Sequence, residues 1–96
     1  MKYVVLADID AEVGVDVEAQ PEKIQELINK WQAHNLLGFY FSITSRNLTI
    51  IIEAENENEF FDALHATWLL TLDYPEVYPV VDVDGFPDLL RRAGVA

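Results

Sequence analysis

The apolar residues between positions 21 and 54 change their spacing once, and that change constrains the fold more than any other feature of the chain. Pro21 opens a helix where its missing N–H costs least, and Glu22 follows in the positive first turn. Ile24, Leu27, Ile28 and Trp31 then recur at i, i+3, i+4 and i+7 as one stripe, with Lys23, Gln25, Glu26, Asn29 and Lys30 on the wet side. This spacing predicts an amphipathic helix that ends near His34-Asn35. Over residues 37–44 the period drops to two. Leu37, Phe39, Phe41 and Ile43 point one way, and Gly38, Tyr40, Ser42 and Thr44 the other. After a tight Ser45-Arg46-Asn47 connection the alternation resumes over 48–54, where Leu48, Ile50 and Ile52 oppose Thr49, Ile51 and Glu53. Two strands of a hairpin therefore follow the helix.

The flanking segments repeat the theme. Tyr3, Val4, Val5, Leu6, Ala7 and Ile9 make a first strand over 2–9, apolar on both faces. The acid-rich stretch 10–20 has no sustained period and reads as a loop, with room for a short extended piece over 13–17. Asn56, with Glu59 three residues on, has the pattern of a capping box and starts a second helix. With Leu64 at the centre of its stripe, Phe60, Phe61, Thr67, Trp68 and Thr71 fall on the same side, and the helix must stop before Pro75. Residues 76–84 alternate as a last strand, whose Pro79 belongs at an edge or bulge. Residues 85–94 read as a short helix with Leu89 and Leu90 on its inner side. Strand, helix, strand, strand, helix, strand is the split βαβ or ferredoxin-like order. The expectation is a single α+β domain over 1–96, its four-stranded antiparallel sheet in the order 4-1-3-2 with two helices on one face.

Charge and composition exclude several classes of function. Seventeen acids against six bases give a net charge of -11, which repels phosphate backbones and anionic lipid surfaces, so neither nucleic acid nor membrane is an expected partner. RNA-binding domains of this topology also need aromatics on two central strands, and residues 48–54 contain none. No apolar run approaches the roughly 20 residues that cross a bilayer, and Asp8 and Asp10 interrupt any signal-peptide core, so the expected location is the cytoplasm. Without cysteine there is no thiolate metal site and no thiol nucleophile. The four glycines form no phosphate-cradling loop. Two helices cover one face of a sheet whose central strands are apolar on both. The bare face is therefore expected to be covered by a second copy of the chain.

A resemblance adds to this reading. Glu53-Ala54-Glu55, Phe60-Phe61-Asp62-Ala63-Leu64-His65, Trp68, Leu72-Asp73-Tyr74-Pro75-Glu76-Val77 and Pro79-Val80-Val81-Asp82 resemble the second half of the small dimeric α+β-barrel proteins. Within these, the run is similar to bacterial families near muconolactone isomerase and the antibiotic-biosynthesis monooxygenases. The likeness covers about the last 45 residues, and the rest agrees only in element order. It implies a homodimer whose two sheets face each other, with ligand pockets between each sheet and its helices or loops, and it admits pairing of dimers into larger rings.

The candidate chemistry is sparse. His65 lies at the edge of the second helix's stripe, where an imidazole can act as general acid or base; the same place suits a half-exposed histidine with no such role. Glu53 is the candidate base of a separate polar patch on the sheet, if burial raises its pKa. Tyr40, Ser42 and Tyr78, with Thr44, Thr49 and Glu53, form a conceivable polar patch on the less greasy sheet face; Phe39, Phe41, Phe60, Phe61, Trp31 and Trp68 could line a site for a flat ligand, though their period puts most of them in the core, and Trp68 is the ligand-binding candidate among them. Cross-strand pairs of such residues are also ordinary sheet chemistry. His34 sits at a helix C-terminus, where the dipole favours a cation. Asp8, Asp10 and Glu12 are spaced two apart, but Val13 and Ala19 stand where a calcium loop needs glycine and a bidentate Glu. No metal and no cofactor is expected. Two readings remain. One is a small protein that binds or transforms a small apolar or cyclic metabolite without metal, through His65, Glu53 and Tyr40; the other is a non-catalytic dimerisation or ligand-sensing regulatory domain.

Overall fold

Strand β1 (Lys2–Asp8) lies inside a four-stranded antiparallel sheet, between β3 (Asn47–Glu53) and β4 (Glu76–Val80), with β2 (Asn35–Phe41) beyond β3. The order β2-β3-β1-β4 is the expected one read from the other edge. Helices α1 (Pro21–Gln32) and α2 (Phe61–Thr71) cover one face, and a short helix α3 (Phe86–Arg92) follows β4. This is the α+β, ferredoxin-like arrangement, and the computed structural model describes residues 1–10, 12–13 and 19–94 of it.

The register explains the core. Tyr3 pairs with Ile52 and Pro79, Val5 with Ile50 and Val77, and Ala7 with Leu48, so one face of the sheet presents these side chains together. Leu27 and Trp31 of α1, with Phe60 and Ala63 at the start of α2, close over them. The Phe60 ring sits 5.4 Å from Tyr3 and 5.8 Å from Trp31, both tilted, which suits the aromatic quadrupole. Pro79 lies on the edge strand, where its missing N–H breaks no ladder.

Several expectations are corrected. Strand β2 starts and stops earlier than residues 37–44, and a bulge between Leu36 and Gly38 puts Leu36, not Leu37, opposite Ile52. Phe39 and Phe41 keep their expected side, opposite Ile50 and Leu48, whereas Ile43 lies in the hairpin turn and is 100% exposed. Helix α2 is rotated from the expected stripe. Its buried side is Ala63, Thr67 and Thr71, continuing from Phe60, while Phe61 is exposed and Leu64 only half-buried. The threonines can turn inward because their hydroxyls bond the preceding turn: Thr67 Oγ1 donates to Ala63 O at 2.8 Å, and Thr71 Oγ1 to Thr67 O at 2.9 Å. Trp31 Nε1 donates to Thr67 Oγ1 at 3.0 Å.

The expected cap at Asn56 is present ahead of a 3-10 turn (Glu57–Phe60): Asn56 Oδ1 accepts from Asn58 N at 3.0 Å, and Glu59 reaches back to Glu55 N at 3.2 Å. Strand β4 ends at Val80, four residues before the expected end, where the chain enters a second 3-10 turn (Val83–Gly85). Leu89 of α3 is exposed and Leu90 half-buried, so the expected inner side of that helix is only partly covered. Of the loop expected over 10–20, residues 11 and 14–18 lie outside the described residues, and with them most of the extended piece expected over 13–17; Glu12 and Val13 are helical.

Candidate functional site

The rotation of α2 leaves an aromatic surface on its outer side. Phe61, His65 and Trp68 stand at i, i+4 and i+7, one row along the helix. Phe61 and His65 stack at 5.9 Å, His65 and Trp68 are tilted at 5.4 Å, and Trp68 lies parallel to Tyr74 at 5.1 Å. Leu72 ends the helix in the left-handed conformation (φ 60°), and its N–H donates to Trp68 O at 2.7 Å. That reversal turns the chain back, so Tyr74 and Pro75 face the helix that precedes them. The result is a groove of about 380 Å³ between α2 and β4, lined by Phe61, Leu64, His65, Trp68, Tyr74, Pro75 and Val77. The His65 imidazole, the Trp68 indole N–H and the Tyr74 hydroxyl are the polar side-chain groups of this lining.

The remaining candidates lie elsewhere. On the sheet face away from the helices, Tyr78, Val4, Ile51 and Gly38 form one cross-strand row, with Thr49 and Tyr40 in the next. The Tyr40 ring folds back over Gly38, where a Cβ would stand 2.7 Å from Tyr40 Cε2. Tyr78 Oη donates to Glu76 Oε2 at 2.6 Å, and this bond, with the carboxylate's charge, pushes the Tyr78 phenol above its usual range. Glu53 closes the same face and accepts from the amino group of Met1 at 3.0 Å. Lys2 Nζ donates to Asp82 Oδ1 at 2.8 Å, which raises the lysine's pKa. Ser42 belongs to the hairpin turn, where its Oγ accepts from the backbone of Thr44 and Ser45 at 3.3 and 3.2 Å.

His65 and Trp68 are therefore brought together, and the sheet separates them from Glu53, Tyr40 and Tyr78. His34 Nε2 meets Asp62 Oδ1 at 2.7 Å and ties the end of α1 to the start of α2. Asp10 Oδ1 accepts from Glu12 N at 2.9 Å, a local turn bond. Among the described residues no three His, Asp or Glu side chains converge on a point that could hold a metal ion. No described helix is long and apolar enough to cross a membrane. Sequence reasoning offered Phe61 for a flat-ligand site, as it did Trp68, and missed Leu64, Tyr74, Pro75 and Val77 as groove residues. The signal was the pair Thr67 and Thr71 beside Ala63: small or self-satisfied side chains that let that side of the helix sit close to the sheet and turn the large rings outward.

A wider trough of about 720 Å³ runs between α1 and α2, edged by Lys23, Glu26, Lys30 and Asp62. A family model described as "Domain of unknown function (DUF3303)" matches residues 1–94. No curated protein matches the chain.

Proposed function

The chain belongs to the DUF3303 domain family, and from that premise we propose that it is a self-pairing protein that binds a small, flat, apolar molecule in the groove between α2 and β4. The observation that carries this reading is the run of rings Phe61, His65, Trp68 and Tyr74 along one wall. Large aromatic side chains held in a row outside the core offer a planar partner a stacking surface. A concavity of about 380 Å³ exceeds the lower end, roughly 300 Å³, of small-molecule sites, which are mostly apolar with a few polar groups. His65, Trp68 and Tyr74 supply those groups and suit a hydroxyl or carbonyl at the ligand's edge. The net charge of -11 selects a neutral or cationic molecule over an anionic one.

Self-pairing is supported by the open face of the sheet, where Leu6, Tyr40 and Tyr78 are exposed around Val4, Ile51 and Val80. A contiguous apolar field on one face marks an interaction surface. The likeness to the dimeric α+β barrels supports the same pairing, with a pocket between sheet and helix. Glu53, Tyr40 and Tyr78 then belong to the space between the two sheets. Because one copy does not assemble His65 with Glu53, a binding or sensing role fits better than acid–base chemistry by that pair.

Calorimetric titration with 2-naphthol, a neutral planar phenol, tests the reading. The expected result is binding that Trp68→Ala weakens about tenfold, equivalent to ~1.4 kcal/mol, and that Tyr40→Ala leaves unchanged. Equal affinity in the wild-type and Trp68→Ala proteins contradicts it.

A further inference from the structure

The aromatic groove is not bounded by apolar surface on every side. Tyr74, which closes it near the start of β4, also lines a second hollow of about 250 Å³ at the end of the sheet, where β1 finishes and β3 and β4 begin. The two differ in chemistry. The first is walled by rings, whereas the second is lined by the acidic residues Asp8, Asp73 and Glu76, with Asn47 and Thr49 among them. No lysine or arginine lines either one. The Tyr74 ring lies parallel to Trp68 on one face and is 75% exposed, so it is the partition between the aromatic wall and the acidic end. The acidic hollow sits at the last rows of the open sheet face, beyond the apolar row of Val4, Ile51 and Tyr78, so pairing of two sheets through that row does not have to close it.

The three carboxylates keep their charge uncompensated. The hydrogen bonds they accept come from neutral donors: the Tyr78 hydroxyl donates to Glu76, Tyr74 N to Asp73 Oδ1 at 2.9 Å, and the Asn47 side-chain amide to Asp8. Among the described residues none of the three is ion-paired, whereas Glu53, Asp82 and Asp88 each hold a cation. Nor do the three converge to chelate a metal ion. What they create is a negative potential spread across an opening, which suits an organic ammonium ion with room to settle beside any of them. An aromatic ring exposed at the same place adds cation–π attraction for such a group.

We propose that the ligand of the groove is a cationic arylalkylamine: its flat ring lies against Trp68, and its ammonium group, carried past Tyr74 on a short alkyl chain, meets the carboxylates of Asp73 and Glu76, with Asp8 of β1 completing the hollow. This rests on the groove reading and adds the charge of the ligand and the side chains that select it.

Three probes share one ring system and differ in the charge of the side chain: tryptamine is a cation, tryptophol is neutral and indole-3-propionate is an anion. Calorimetric titration of the full-length protein at low salt should rank them in that order, with tryptamine bound about fivefold more tightly than tryptophol, equivalent to the ~1 kcal/mol of an exposed ion pair. Asp73→Asn and Glu76→Gln keep a hydrogen-bond acceptor and remove the charge. Each should lower the ratio of tryptamine to tryptophol affinity, and the double variant should bring it to about unity, while tryptophol still binds as it does to the wild type and so reports an intact groove. Glu26→Gln, an equal loss of charge on α1, should leave the ratio unchanged. Equal affinities for tryptamine and tryptophol in the wild type overturn the proposal and leave the groove standing. A ratio that survives the double variant, or that Glu26→Gln lowers as much, also overturns it, by assigning the preference to the overall charge. Failure of both tryptophol and 2-naphthol to bind overturns the groove reading, and this inference with it.

Discussion

Trp31 Nε1 donates a hydrogen bond of 3.0 Å to Thr67 Oγ1, and both residues are fully buried, so the two helices are joined through one hydroxyl in the centre of the core. That hydroxyl in turn donates to Ala63 O at 2.8 Å, which satisfies it on both counts. Thr67→Val keeps the shape and removes the acceptor, leaving a buried indole N–H with no partner. The expected loss is about 1–3 kcal/mol, measured by urea denaturation with unchanged m-value. Thr71→Val removes a hydroxyl whose single proton is shared between Thr67 O and Asp73 O and which accepts a long bond from Asp73 N, without stranding an indole, and should cost less.

Leu72 is the one non-glycine residue with positive φ among the described residues, and its side chain is largely exposed. A left-handed leucine is strained by its Cβ by roughly 1–2 kcal/mol, a strain asparagine bears more easily. Leu72→Asn should therefore raise stability by about 0.5–1 kcal/mol, seen as a higher denaturation midpoint. A lower midpoint would mean that the Leu72 side chain contributes more by packing beside Ile9 and Val13 than its left-handed backbone costs.

Gly38 and Tyr40 make a coupled pair, because the Tyr40 ring occupies the space a Cβ at position 38 would take. Gly38→Ala alone must displace the ring and should be destabilising or neutral. In a Tyr40→Ala background the same substitution should gain about 0.4–1 kcal/mol, since alanine restricts the unfolded chain and the ring is gone. The double-mutant cycle reads this change of sign directly.

Tyr78 gives a pH dependence with a definite sign. Its phenol is raised above the ordinary value of 10.0, first by the hydrogen bond to Glu76 and then by that residue's charge. The folded state therefore holds its proton at pH values where the unfolded chain has lost it. The contribution to stability is complete below the unfolded value and is lost as the pH climbs through the raised folded one. Ultraviolet titration of the folded protein should show a tyrosine step above the ordinary range that Glu76→Gln moves down. A Glu76→Gln curve superimposing on the wild type contradicts the assignment.

The architecture was legible because its strongest signals are local. The stripe Ile24, Leu27, Ile28 and Trp31 and the alternation from Leu48 to Ile52 each determine a buried face with no knowledge of the rest of the chain. The groove was not legible for a reason equally physical. Thr67 and Thr71 were placed on the inward stripe, but its centre was put at the larger Leu64; once their hydroxyls bond the helix the threonines behave as small apolar residues, the centre moves toward Ala63, and Phe61 is exposed. The bulge at Leu36/Gly38 likewise depends on how the hairpin twists, which alternation alone does not encode, and it exchanges Leu37 for Leu36 at the core. His65 and Trp68 were found as single candidates. Their relation to Tyr74 depends on the left-handed turn at Leu72.

The chain has two tryptophans, which makes one measurement decisive for the groove. In a ¹H–¹⁵N spectrum followed through a titration with 2-naphthol, the indole signal of Trp68, at the groove wall, should move progressively. That of Trp31, buried and bonded to Thr67, should stay in place. Both indole signals standing still while the backbone signals of Tyr40 and Tyr78 move would place the ligand on the open sheet and contradict the account.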